Sequence, residues 1–147
     1  IFSRDVEAQV IPACLDVGAS LVAYSPLGRG MLSGRFAKEA LAGDDRRNAV
    51  PRYQGDAYRA NIALVDEIKT VAAARSCTAA QVALAWVLGR GEHVLTIPGT
   101  TKLANLEANL GAYDIALSDD EEAALGRLAD RVTGNRYDET GMSTING

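Results

Sequence analysis

Apolar residues at Val6, Val10, Ala13 and Val17 recur at helical spacing, and Ser3 stands ahead of them as a cap. Asp5 and Glu7 fall in the first turn, where the positive end of the helix dipole favours carboxylates. Pro12 marks a kink or restart point and Gly18 an end. Ala19 to Tyr24 is short, apolar and bounded by Gly18 and Pro26, which predicts a buried strand. From Ser25 to about Arg59 no period holds; loops of this length in compact domains are usually functional or mobile, so this stretch is a candidate lid.

Helical spacing returns at Leu64, Val65, Ile68, Val71, Ala72 and Arg75. Thr78-Ala-Ala-Gln81 is a capping box opening a further helix that turns Val82, Ala85 and Trp86 inward and closes at Gly89 and Gly91. Val94 to Pro98 reads as a second strand, followed by a helix displaying Leu103, Leu106 and Leu110. Ser118-Asp-Asp-Glu121 is a second capping box, with Leu125, Leu128, Ala129 and Val132 on the inner face of its helix. Strands alternating with helices predict an α/β fold with parallel pairing. Both strands run into polar, glycine-bearing loops, as neighbouring units of a β/α barrel do at the edge that carries chemistry.

A complete barrel needs roughly 250 residues, and this chain has 147. Ile1-Phe-Ser-Arg4 reads as the tail of a strand entering a helix, so the N-terminus is expected to be cut. Hydrophobic residues make up 48% and charged residues 23%, and no apolar run approaches the roughly 18 residues of a membrane span; a soluble, cytoplasmic protein without a membrane partner is expected. A net charge of −4 and a pI near 5.0 argue against nucleic acid as a partner. Cys14 and Cys77 have no metal spacing and His93 no ligand-spaced companion, so reduced thiols and no metal are expected. Oligomeric state is left open.

Gly28, Gly30 and Gly34 nearly spell a dinucleotide fingerprint, but position 33 is Ser, and Pro26 and Arg29 sit awkwardly in a tight strand-to-helix turn. His93 precedes the second strand, at the wrong end for barrel chemistry, and is expected at the surface. Asp44-Asp45 reads as loop charge, and Asp119-Asp-Glu-Glu122 as the first turn of a helix.

Three separated motifs carry a resemblance: Val22-Ala-Tyr-Ser-Pro-Leu-Gly-Arg-Gly-Met-Leu-Ser-Gly-Arg-Phe36, Arg47 through Pro51-Arg-Tyr-Gln-Gly55, and Ile97-Pro-Gly-Thr-Thr-Lys102 with Asn109. Together with a tail at Gly134-Asn-Arg-Tyr137, they resemble the C-terminal half of an aldo-keto reductase over nearly the whole chain. The resemblance implies that residues 1–147 are the C-terminal portion of a single (β/α)8 TIM barrel domain, with two parallel core strands, flanking helices and the N-terminal half missing. It implies NADP(H) across the strand mouths and an aldehyde or ketone substrate, interconverted with its alcohol by hydride transfer.

In that family pattern Tyr24 stacks on the nicotinamide, and Ser25, Pro26, Leu27, Gly28 and Arg29 line the pyrophosphate. Arg35 reaches the adenosine phosphates; Gly99, Thr101, Lys102, Asn105 and Asn109 hold the adenosine end. Arg29, Met31 and the loop from Arg35 to Gln54 close over the cofactor or border the substrate. Some relatives carry Lys, Arg and Glu where this chain has Gly99, Asn105 and Ala108, which leaves NADP against NAD open. The family's catalytic Tyr, Lys, Asp and His lie on strands preceding this segment, so no catalytic residue is assigned and the chain alone is expected to be inactive and to fold poorly. The alternatives are a non-catalytic NADP(H)-binding or subunit-contact protein on the same scaffold, and a fragment without function of its own.

Overall fold

The structure, a computed structural model, describes residues 1–145. Strands β1 (Leu21–Ala23) and β2 (Val94–Thr96) pair in parallel, with Leu21 opposite Val94, Val22 opposite Leu95 and Ala23 opposite Thr96. Helix α1 (Val10–Asp16) precedes β1; α2 (Gly55–Ala74) and α3 (Ala79–Leu88) make the crossover; α4 (Leu103–Leu110), α5 (Asp119–Gly126) and α6 (Glu139–Ser143) follow β2. Four short 3-10 segments occupy the stretch between β1 and α2, which holds no longer helix or strand.

The core is built where α2 crosses α3. Leu64, Val65, Ile68 and Ala72 of α2 meet Val82, Ala83 and Trp86 of α3 in one cluster with Met31, Leu32, Val94, Leu125 and Leu128. Both capping boxes form: Thr78 Oγ1 accepts from Gln81 N (3.2 Å) while Gln81 Oε1 accepts from Thr78 N (3.0 Å), and Ser118 and Glu121 repeat the exchange. Trp86 is buried with its Nε1 donating to the Glu122 carbonyl at 3.0 Å, under the guanidinium of Arg90 at 4.3 Å. No single helix among the described residues is long and apolar enough to cross a membrane; α2 and α3, bent by 90°, combine the length and the apolar composition only as a pair, and α3 is buried almost throughout.

Parallel sheets are ordinarily covered on both faces. Here Leu21, Ala23 and Val94 pack into the core, while Val22, Tyr24, Leu95 and Ile97, on the other face, remain 43–56% exposed. The strands are also shorter than the runs Ala19 to Tyr24 and Val94 to Pro98 predict, because each has a neighbour on one side only. The first helix begins at Val10 rather than after Ser3. Its expected cap is engaged elsewhere, since Ser3 Oγ accepts from Arg52 Nη1 at 3.0 Å. The apolar face that the spacing marks is not buried here: Val10 and Val17 are exposed, and α1 has no buried residue. Pro12 falls in the first turn of α1, where its missing N–H costs nothing. Helix α6 is an element that periodicity missed.

Candidate functional site

Because β1 and β2 pair in register, the loops that leave their C-terminal ends, at Tyr24 and at Ile97, open side by side. The first loop has an unusual backbone. Ser25, Gly28, Arg29 and Gly30 take φ of 47°, 53°, 52° and 101°, and two of these four are not glycine. Left-handed non-glycine residues cost about 1–3 kcal/mol each and persist only when surrounding contacts fix them. Those contacts are present: Tyr53 Oη donates to the Gly28 carbonyl and Arg47 Nη1 to the Arg29 carbonyl at 3.1 Å, while Gly28 N bonds back to Ser25 O at 2.8 Å. A third such residue, Ser76, lies in the turn between α2 and α3. Pro26 is buried and anchors the loop, and Leu27 packs against the core.

The motif Arg47 through Gly55 thus acts as a brace for the first loop. Asp45 caps the turn Arg46–Ala49 and pairs with Arg47 at 2.7 Å, so its carboxyl, expected as plain loop charge, is held down at about 2 chiefly by the Arg47 guanidinium. Phe36 and Tyr53 meet edge to face at 5.1 Å. Burial pushes the Tyr53 phenol up, so it stays a donor.

Beside β1 lies a cleft of about 280 Å³, lined by Ile1, Phe2, Val6, Leu21, Val94 and, toward the mouth, by Tyr24, Ser25, Gly28, Arg29, Arg52 and Arg136. Four arginines line the cleft, Arg90 on the side of Trp86 and the other three toward the mouth. Arg136 is neutralised by Asp5 through two bonds of 3.0 and 2.8 Å. Arg52 donates to the Gly134 carbonyl at 3.0 Å, and burial, then the Arg136 cation, pulls its pKa below the usual arginine range. Arg29 turns to the tail: Nη1 donates to the Arg136 carbonyl at 2.7 Å, and the guanidinium lies 4.6 Å over the Tyr137 ring. Tyr137 completes the contact with a 2.9 Å hydroxyl bond to Tyr24, which raises the Tyr24 pKa.

Arg35 lies exposed after this loop, with no ion pair among the described residues. On the second loop, a Cβ at Gly99 would meet nothing within 4 Å, and Thr100 Oγ1 accepts from Lys102 N at 3.1 Å. Thr101 and Lys102 are exposed ahead of α4, whose N-terminus has no side-chain cap. Asn105 is half-buried and Asn109 buried.

The model of the Aldo/keto reductase family matches residues 1–130. The chain belongs to that family. Among solved structures, it is similar to the glycerol dehydrogenase AKR11B4 from Gluconobacter oxydans, with 27% identity and a TM-score of 0.81 over 94% of this chain and 42% of that one. It is also similar to the thermostable aldo-keto reductase Tm1743, determined in complex with the inhibitor epalrestat, with 28% identity and a TM-score of 0.57 over 86% of this chain and 36% of that one. The chain therefore spans less than half the length of these relatives, and its two parallel strands with their helices are part of the family's TIM barrel. In such a barrel one face of each strand points at the helices and the other inward, which accounts for the exposed row Val22, Tyr24, Leu95 and Ile97.

The register of β1 and β2 brings the two expected binding loops together, with Tyr24, Ser25, Gly28 and Arg29 on one cleft. Sequence reasoning missed the parts that arrive from a distance: Arg47 and Tyr53 behind the first loop, and Arg136 and Tyr137 in front of it. The motifs containing them were visible, but spacing alone carries no sign of contacts across 18 to 113 positions. His93 also departs from expectation: it is half-buried, with Nε2 3.3 Å from the Ile11 carbonyl, at the end of β2 opposite the loops. Asp119 to Glu122 form the first turn of α5, where Glu121 pairs with Arg75 and Glu122 with Arg90.

Proposed function

We propose that this chain carries the cofactor bed of an NADP(H)-dependent oxidoreductase that interconverts carbonyls and alcohols by hydride transfer. The observation that carries the reading is the backbone of residues 25–30, whose run of left-handed residues is braced from behind by Tyr53 and Arg47. Gly28 N and Gly30 N close the turn onto the Ser25 and Leu27 carbonyls, which leaves the exposed Ser25 hydroxyl and the Arg29 cation at the cleft mouth to meet an anion. A dinucleotide pyrophosphate fits that chemistry better than the apolar wall of the cleft does. The uncapped N-terminus of α4 beside it, with Lys102 exposed and open space at Gly99, suits a second phosphate at the adenosine end.

In this reading Tyr24 offers its ring as a plate for the nicotinamide, and Ser25, Leu27, Gly28 and Arg29 surround the pyrophosphate while Pro26 fixes the loop. Arg35 and Lys102 supply charge to the adenosine phosphates, with Thr101, Asn105 and Asn109 as hydrogen-bonding partners. The bound cofactor supplies the hydride. An aldehyde or ketone is the substrate, and the proton donor comes from the rest of the barrel in the full-length protein, so residues 1–147 alone are expected to show no carbonyl-dependent oxidation of NADPH.

The test is titration of the full-length protein with NADPH, followed by nicotinamide fluorescence, with NADH as control and circular dichroism to establish folding. Saturable binding is expected, and Arg35→Ala and Lys102→Ala are each expected to weaken it about tenfold, the scale of a lost bond to a charged group. A folded protein that does not bind NADPH overturns the reading.

A further inference from the structure

We propose that Tyr137 is a positioning residue for Tyr24, holding that ring in the fixed orientation that a nicotinamide plate requires; the inference rests on the cofactor-bed reading above. Tyr24 follows the last paired residue of β1, so the strand ladder does not extend to it. Its side-chain hydrogen bond is the 2.9 Å contact with the Tyr137 hydroxyl. The hydroxyl lies on the axis of the second torsion, so a bond at the tip of the ring fixes the first torsion, and the preference of a phenol's O–H and lone pairs for the ring plane biases the second.

The partner is itself held. Arg29 covers the Tyr137 ring at 4.6 Å and donates at 2.7 Å to the carbonyl of Arg136, the residue before it. Arg136 in turn is clamped by both carboxylate oxygens of Asp5. Tyr137 therefore reaches Tyr24 from a segment fixed at two points, and Arg29 connects the ring plate to the loop expected to take the pyrophosphate. Residues 136 and 137 lie beyond the stretch 1–130 that the family model matches, whereas Tyr24, Arg29 and Asp5 lie within it.

The experiment compares NADPH with adenosine 2′,5′-bisphosphate, which lacks the nicotinamide, on full-length wild type, Tyr137→Phe, Tyr24→Phe and the double variant. Each single variant keeps its ring and loses the shared bond. Each is expected to weaken NADPH about fivefold, the scale of one net hydrogen bond, with bisphosphate affinity unchanged. The double variant is expected to lose no more than either single, because both cut the same bond. Wild-type affinity for NADPH in Tyr137→Phe overturns the proposal, and so does an equal loss for both ligands, which marks a general structural role. If Tyr137→Phe fails to fold, Tyr24→Phe decides from the other side of the bond. A wild type that binds neither ligand overturns the cofactor-bed reading and this inference with it.

Discussion

The side chain of Asn61 pairs with both backbone groups of Thr133: its Nδ2 donates to the Thr133 carbonyl at 2.8 Å and its Oδ1 accepts from Thr133 N at 3.0 Å. The same amide also donates to the Arg52 carbonyl at 3.2 Å, so one fully buried residue of α2 joins the brace to the tail. Replacing it by Leu leaves three backbone groups short of a partner in a dry site. Asn61→Leu is expected to lower stability by about 2–3 kcal/mol, measured by urea unfolding, whereas an exposed α2 variant such as Glu67→Gln is expected to change it by less than about 1 kcal/mol. An Asn61→Leu midpoint equal to wild type would falsify this account of the junction.

Gly134 adopts φ +82°, and a Cβ there would stand 3.0 Å from both Arg52 N and Pro51 C. Backbone cannot yield as a flexible side chain does. Gly134→Ala is expected to lift the tail from the brace at a cost of about 1–3 kcal/mol. Limited proteolysis reads this directly, with faster cleavage after residue 132 in the variant. Cleavage at the wild-type rate would show that the tail accommodates the methyl group.

Trp86 is the sole tryptophan and is buried between α3 and α5. Its emission is expected to be blue-shifted in the native protein and to move red on unfolding. Trp86→Ala removes the largest fully buried side chain and is expected to cost about 3–5 kcal/mol, checked by thermal unfolding followed by circular dichroism. A native emission already at the wavelength of the urea-unfolded protein would contradict this burial.

Glu121 titrates at about 2 instead of 4.5, first because Arg75 donates to it and then because of the Ser118 backbone N–H. A depressed carboxyl stabilises the fold above its unfolded value, and that contribution fades as pH falls from about 4.5 through about 2. Glu121→Gln is therefore expected to flatten the decline of stability across this window and to be less stable than wild type at neutral pH. Urea midpoints at several pH values between 2 and 7 test it; parallel curves for the two proteins would remove Glu121 from the acid response.

What the sequence revealed followed the range over which each signal acts. Thr78 with Gln81 and Ser118 with Glu121 were legible because a capping box needs only three residues and forms before any tertiary contact. Gly18, at φ +69°, ends α1 as predicted for the same local reason. Ser3 misled because a distant arginine, Arg52, takes its hydroxyl, and no local rule anticipates that. The strand signal located β1 and β2 but overstated both lengths, since ladder length depends on neighbours that a single segment does not specify. At the site, the glycines and Pro26 announced a special loop, while its supports, Tyr53, Arg47 and Tyr137, had to be seen in space.

Arg136 meets Asp5 across 131 positions, and Tyr137 meets Tyr24 across 113. Translation runs from the first residue to the last, and early segments settle while later ones are still being made. On a ribosome, the strand mouth at Tyr24 exists long before the tyrosine that steadies it, so a growing chain passes through a stage with a formed core and an untethered ring. Termination after α5 but ahead of Tyr137 would yield a product of that kind, with α1 to α5 present and its mouth permanently unfinished.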